Sequence, residues 1–137
     1  MRKTIVIANN IEELKKIERF VELTGDEIEL NGKTKYNLNL ILEEVLTNII
    51  FYGFDEGIRA EIVIEFEFTD NEVFVEIIDK GRPFNPLERN VDAHDDLSED
   101  TKIGGLGILI IKKLSKEIEY KYIDGENHLL ITIEYHV

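Results

Sequence analysis

Along the chain, apolar positions switch between two periods. Ile11, Leu14, Ile17 and Val21 recur with charges between them, which is the spacing of an amphipathic helix ending at Gly25. A longer helix is predicted from about Thr34 to Tyr52, with Leu38, Leu42, Val45, Ile49 and Tyr52 as its stripe and Gly53 as its stop. Ile62, Ile64, Phe66 and Phe68 then alternate with other residues, and after Asp70-Asn71 the pattern resumes over Val73 to Ile78. That is a hairpin, and Glu65 and Glu67 suit a solvated face. Asp79 to Asp100 holds both prolines and reads as a long irregular loop, the kind that serves as a lid. From Gly107 a short helix over Ile108 to Leu114 is predicted. Glu117 to Ile123 and Leu129 to Tyr135 flank Asp124-Gly125, a turn signal for a closing hairpin. With Met1 to Ala8 as a first strand, the order predicts an α+β fold: an antiparallel-rich sheet with helices on one face.

At 137 residues the chain is sized for one domain, taken here as 1–137. The absence of cysteine excludes disulfides and thiolate metal sites and suits a cytoplasmic setting. The apolar run Leu38 to Phe54 is broken by Asn39, Glu43, Glu44 and Asn48, so no membrane span is expected. A formal net charge of -13 repels nucleic-acid phosphates and anionic lipid, so neither is expected as a direct partner. An anionic ligand must be held by local geometry.

Three clusters carry chemistry. Glu44 and Asn48 lie four apart on one face of the long, otherwise apolar helix. An Asn oxygen suits Mg²⁺ and a carboxylate beside it can accept a proton, although such a pair also decorates ordinary helix surfaces. Asp79, in Asp79-Lys80-Gly81-Arg82-Pro83-Phe84, ends a hydrophobic strand beside Gly81. It can accept a hydrogen bond from an exocyclic amine, or simply begin a turn. Lys102-Ile103-Gly104-Gly105-Leu106-Gly107 precedes a helix, where glycine N–H groups cradle phosphate or form a hinge. It matches neither the dinucleotide nor the Walker glycine spacing.

In this order the clusters resemble the N box and two glycine boxes of the GHKL superfamily of ATPases and kinases. The closer resemblance is to anti-sigma factor serine kinases, carried by Leu42 to Asn48, Tyr52-Gly53-Phe54, Asp79 to Leu87 and Ile103 to Leu114. It implies a Bergerat ATP-binding fold, a two-layer sandwich with a mixed, mostly antiparallel sheet and nucleotide under a lid. It also implies that Asn48 ligates Mg²⁺, Glu44 is the general base, Asp79 receives the adenine amine and Gly81 passes close to the base. Gly105 and Gly107 serve the phosphates, with Lys102 as the nearby cation. Asn127 resembles a residue often found there, with no role assigned. The resemblance implies ATP as cofactor, phosphorylation of a STAS-type anti-sigma-antagonist, a sigma factor as a further partner, and room for a homodimer. The lid stretch Leu97 to Lys102 lacks the arginine such kinases often carry there. A nucleotide-gated interaction module is the alternative. The scattered His94, His128 and His136 offer no metal cluster.

Overall fold

The computed structural model describes residues 1–88 and 99–135, with the backbone alone for 88 and 99–106. Its elements are β1 (Arg2–Ala8), a 3-10 turn (Ile11–Glu13), α1 (Leu14–Glu27), α2 (Gly32–Tyr52), β2 (Glu61–Phe68) and β3 (Glu72–Asp79). A second 3-10 turn (Pro86–Glu88), α3 (Glu99–Leu114), β4 (Glu117–Ile123) and β5 (Glu126–Glu134) follow. The strands form one sheet in the order β1-β2-β3-β5-β4. All four described pairings are antiparallel.

Alternation fixes which face of the sheet is covered. Ile62, Ile64, Phe66 and Phe68 of β2 and Val73, Val75 and Ile77 of β3 are buried, while Glu65 is exposed and Glu67 partly so. A one-residue slip in register would turn every one of these side chains to the wrong face. Ile17 and Val21 from α1, Leu38, Ile41, Leu42 and Leu46 from α2, and Ile108 and Ile111 from α3 join the core, as do Ile7 from β1 and Leu129, Ile131 and Ile133 from β5. Phe20 stacks obliquely on Phe66, ring centroids 4.8 Å apart. Burying a side chain of this size contributes about 1.5–3 kcal/mol. The expected α+β sandwich with helices on one face is therefore observed. Among the described residues, no helix is long and apolar enough to cross a membrane.

Boundaries differ from expectation in three places. Gly25 does not stop α1, which runs on to Glu27 and buries Gly25 inside it. The chain reverses at Glu29, whose φ of 60° is left-handed, and the Leu30 N–H closes the end on the Gly25 carbonyl at 2.8 Å. A Cβ on Gly25 would meet the Lys35 side chain at 3.0 Å, a contact to which the lysine would have to yield by a small shift. The last strand starts at Glu126, directly after a two-residue turn with left-handed Asp124 and Gly125.

The third difference bears on function. The glycine stretch was expected as a loop before a helix starting at Ile108, but α3 begins at Glu99 and carries Lys102, Gly105 and Gly107 within it. Of the expected loop over Asp79 to Asp100, residues 89–98 lie outside the described residues. In α2 the expected stop holds, with Gly53 following Tyr52, while the start lies two residues earlier, at Gly32, where the Asn31 side chain caps the Thr34 N–H at 2.8 Å. Tyr52 itself, expected in the buried stripe, is 54% exposed, and Ile41 and Leu46 take its share of the core.

Candidate functional site

Val45 and Leu46 are buried against the sheet, and this docking leaves Glu44 and Asn48 half-buried at the edge of the helical layer. Glu43, one position away, is exposed. Gly107 of α3 is buried against Glu44, and a Cβ on it would overlap the Glu44 carboxylate. Glycine inside α3 is thus explained by close approach of two helices. Burial pushes the Glu44 carboxyl above its usual range, and the charge of Glu43 pushes it the same way.

Asp79 closes β3 and is buried. Its Oδ1 accepts the Gly81 N–H at 2.8 Å and an Asn127 Nδ2–H at 3.0 Å. Burial raises its pKa, while those two hydrogen bonds and the His128 charge pull the other way. Gly81 has no room for a side chain, because a Cβ would lie 2.6 Å from the Gly53 carbonyl oxygen and 2.9 Å from Asp79 Oδ1. The Arg82 N–H donates to that Gly53 oxygen at 2.9 Å, and the guanidinium reaches the Tyr52 carbonyl and Asp55. The turn after Asp79 is bolted to the end of α2. The backbone that Gly81 approaches is that of Gly53.

Asn48 and Asp79 line one cavity, together with Phe84, Ile108, Tyr120 and Asn127 among others. It measures about 40 Å³, little more than one water's share of the liquid and far below the ~300 Å³ at which ligand pockets begin. Larger hollows of 480 Å³ over the open sheet face and 360 Å³ between α1 and α2 lie elsewhere and hold none of the expected site residues. The structure therefore brings Asn48 to Asp79, Glu44 to Gly107, and Gly81 to Asp79. Lys102 and Gly105 lie on α3, and their side chains fall outside the described residues.

Residues 7–133 match the model of the histidine kinase-like ATPase domain. The chain belongs to that family. This ATPase domain is similar to the serine/threonine-protein kinase BtrW of Bordetella bronchiseptica, 28% identical over 102 residues covering 74% of this chain and 72% of that protein. It is also similar to the serine-protein kinase RsbW of Listeria monocytogenes, 27% identical over 93 residues, 65% of this chain and 59% of the relative. The RsbW of Listeria innocua matches at 26% over the same span. The domain thus spans under two thirds of the length of its Listeria relatives. Kinship with protein kinases of this kind is distant, and it supports a kinase-like enzyme.

Asn127, to which the sequence assigned no role, sits against the candidate site. It is 6% exposed and contacts Asp79, Gly81, Arg82, Phe84 and Tyr120. A signal for it exists in the alternation of β5. Asn127 shares the core-facing set with Leu129, Ile131 and Ile133, so it is a polar residue in an apolar register, which demands hydrogen-bond partners.

Proposed function

We propose that this ATPase domain, as a single unit over 1–137, binds Mg–ATP between α2, α3 and the sheet and phosphorylates a serine of a STAS-type anti-sigma-antagonist in the cytoplasm. A sigma factor is the further partner. The observation that carries the reading is the shared cavity of Asn48 and Asp79, with Glu44 one turn along the same helix. The donor set fits the group: Asp79 is a buried acceptor suited to an exocyclic amine, and the Asn48 oxygen suits a hard cation that takes few protein ligands. Among the described residues, no group of three or more His, Asp or Glu side chains is placed to hold a metal. Asn48 is the residue that would hold the magnesium in this reading, as the resemblance implies. Bound magnesium supplies neutralisation of the charge that develops in phosphoryl transfer.

Glu44 is the assigned base. It takes the proton of the incoming serine hydroxyl as the serine oxygen bonds to the terminal phosphorus, the bond to the departing ADP breaks, and phosphoserine remains. Burial has already raised its proton affinity, which suits a base working near neutrality. Gly105 and Gly107 serve the phosphates in this reading, with Lys102 as cation. That requires the first turns of α3 to open, because helix-interior N–H groups are committed to carbonyls one turn back.

A second reading, a nucleotide-gated interaction module, is favoured by Gly107 packed on the carboxylate that the kinase reading takes as its base. One experiment separates the two. Unmodified protein, Glu44→Gln and Asn48→Ala are each mixed with a STAS-type antagonist from the same cell and labelled ATP, and phosphoserine is followed. Glu44→Gln is expected to keep Mg–ADP binding and lose transfer by about 100-fold to 10,000-fold, while Asn48→Ala weakens both. Undiminished transfer by Glu44→Gln removes the base assignment. No transfer by the unmodified protein, with a tight nucleotide-dependent complex, favours the gated module.

A further inference from the structure

We infer that Asn127 and Tyr120 form a positioning pair that aims the Asp79 carboxylate at an exocyclic amine and so sets the base selectivity of the site; the inference rests on the adenine reading of Asp79. Asn127 projects from the core face of β5, with Tyr120 diagonal to it on β4. Its amide has a single workable orientation. The Phe84 N–H, 3.2 Å away, can only donate, so the atom facing it is Oδ1. Ionised Asp79, the Gly81 carbonyl and the Arg82 carbonyl, at 3.0, 3.3 and 3.1 Å, can only accept, so the atom facing them is Nδ2. A flipped amide would set an oxygen against three acceptors and a nitrogen against a donor.

The Tyr120 hydroxyl adds a further lock. It donates to Asn127 Oδ1 and accepts the same Phe84 N–H at 3.2 Å. The turn that follows Asp79 is thereby tied at Gly81, Arg82 and Phe84 to one side chain of the last strand. Both donors that hold Asp79 converge on Oδ1, and Oδ2 is the acceptor left for a ligand amine. A base carrying a carbonyl in place of that amine would face an acceptor with an acceptor. Selectivity for the amine therefore depends on how firmly Asn127 holds the carboxylate.

The groups facing Asp79 make its titration a second readout. From β5, Asn127 and the His128 charge favour the ionised form, and from the turn the Gly81 N–H does so too. Tyr120 from β4, Asn48 from α2, and Ile108 and Ile111 from α3 line the same cavity and carry no formal charge near neutral pH. Loss of Asn127 leaves burial less opposed, and Asp79 must then titrate higher.

Calorimetry with Mg–ADP and Mg–IDP, on unmodified protein, Asn127→Ala and Tyr120→Phe, tests the pair once each variant is shown to melt cooperatively. The unmodified protein is expected to prefer ADP. That preference falls roughly ten-fold or more in Asn127→Ala, as for loss of a hydrogen bond to a charged group, and by a smaller factor in Tyr120→Phe. An unchanged preference in both folded variants overturns the inference. Carboxyl-carbon NMR of nucleotide-free protein reads the same contact without a ligand: the Asp79 midpoint moves up in Asn127→Ala, and an unmoved midpoint overturns the pair. Should Asn127→Ala not fold, Tyr120→Phe carries both readouts. If unmodified protein takes up neither nucleotide while the midpoint still moves, the adenine reading and base selectivity fall together, and the positioning of Asp79 by Asn127 stands.

Discussion

Gly81→Ala is the sharpest structural perturbation of the site that leaves every functional side chain in place. The added methyl would lie 2.6 Å from the Gly53 carbonyl oxygen and 3.1 Å from its carbon, both backbone atoms at the end of α2 that cannot rotate away. Relief requires the turn to lift, which breaks the 2.9 Å bond from Arg82 N–H to Gly53. Overpacking of a well-packed contact costs about 1–3 kcal/mol, and the lost hydrogen bond about 0.5–1.5 kcal/mol more. Together these come to roughly 2–4 kcal/mol, a drop in melting temperature on the order of 5–15 °C for a domain of this size. The methyl also lies 2.9 Å from Asp79 Oδ1, so ADP affinity falls with stability. Gly32→Ala is the control, since nothing lies within 4 Å of its Cβ at the start of α2. It should melt at or slightly above the unmodified protein. Thermal melts followed by circular dichroism, with calorimetry at one temperature, decide the matter. If Gly81→Ala melts within a degree or so of the unmodified protein and binds ADP equally, the argument from close approach is refuted.

Asp79→Asn should abolish ADP binding while raising stability at neutral pH. Because the folded pKa of Asp79 is raised, the folded state holds its proton more tightly than the unfolded chain. Its contribution is therefore greatest below the ordinary carboxylate pKa and is lost as pH rises through the folded value. The melting-temperature gain of Asp79→Asn over unmodified protein should grow across that window, and a gain independent of pH would contradict it. Glu29→Gly should stabilise the end of α1 by up to about 1 kcal/mol, since φ of 60° costs a side chain more than glycine, and a lower melting temperature would count against this.

Much of the fold was legible because its signals are local. Gly53 and the apolar run before it mark α2, and the alternation over Glu61–Phe68 and Glu72–Asp79 marks the central hairpin. Where the reading failed, the deciding contact was remote in sequence. Gly25 and Gly107 look like a stop and a loop, but each lies inside a helix against a side chain of another helix, Lys35 or Glu44. The site followed the same division. Glu44, Asn48 and Asp79 announce themselves as polar breaks in apolar runs, whereas the use of Asn127 depends on acceptors and donors some 43–48 residues away.

The strand order carries a consequence for how the molecule is made. β5 lies between β3 and β4, so β3 shows a bare edge until the last strand of the sheet has been synthesised and threaded into place. The β4–β5 hairpin, joined by the tight turn at Asp124-Gly125, is a local unit that can close on its own before β5 covers that edge. Asp79 waits for Asn127 across 48 residues of chain. A ribosome-bound fragment that stops short of β5 would hold the helices and the first hairpin, an exposed β3 edge open to pairing with a neighbouring chain, and an Asp79 still without its Asn127 clamp.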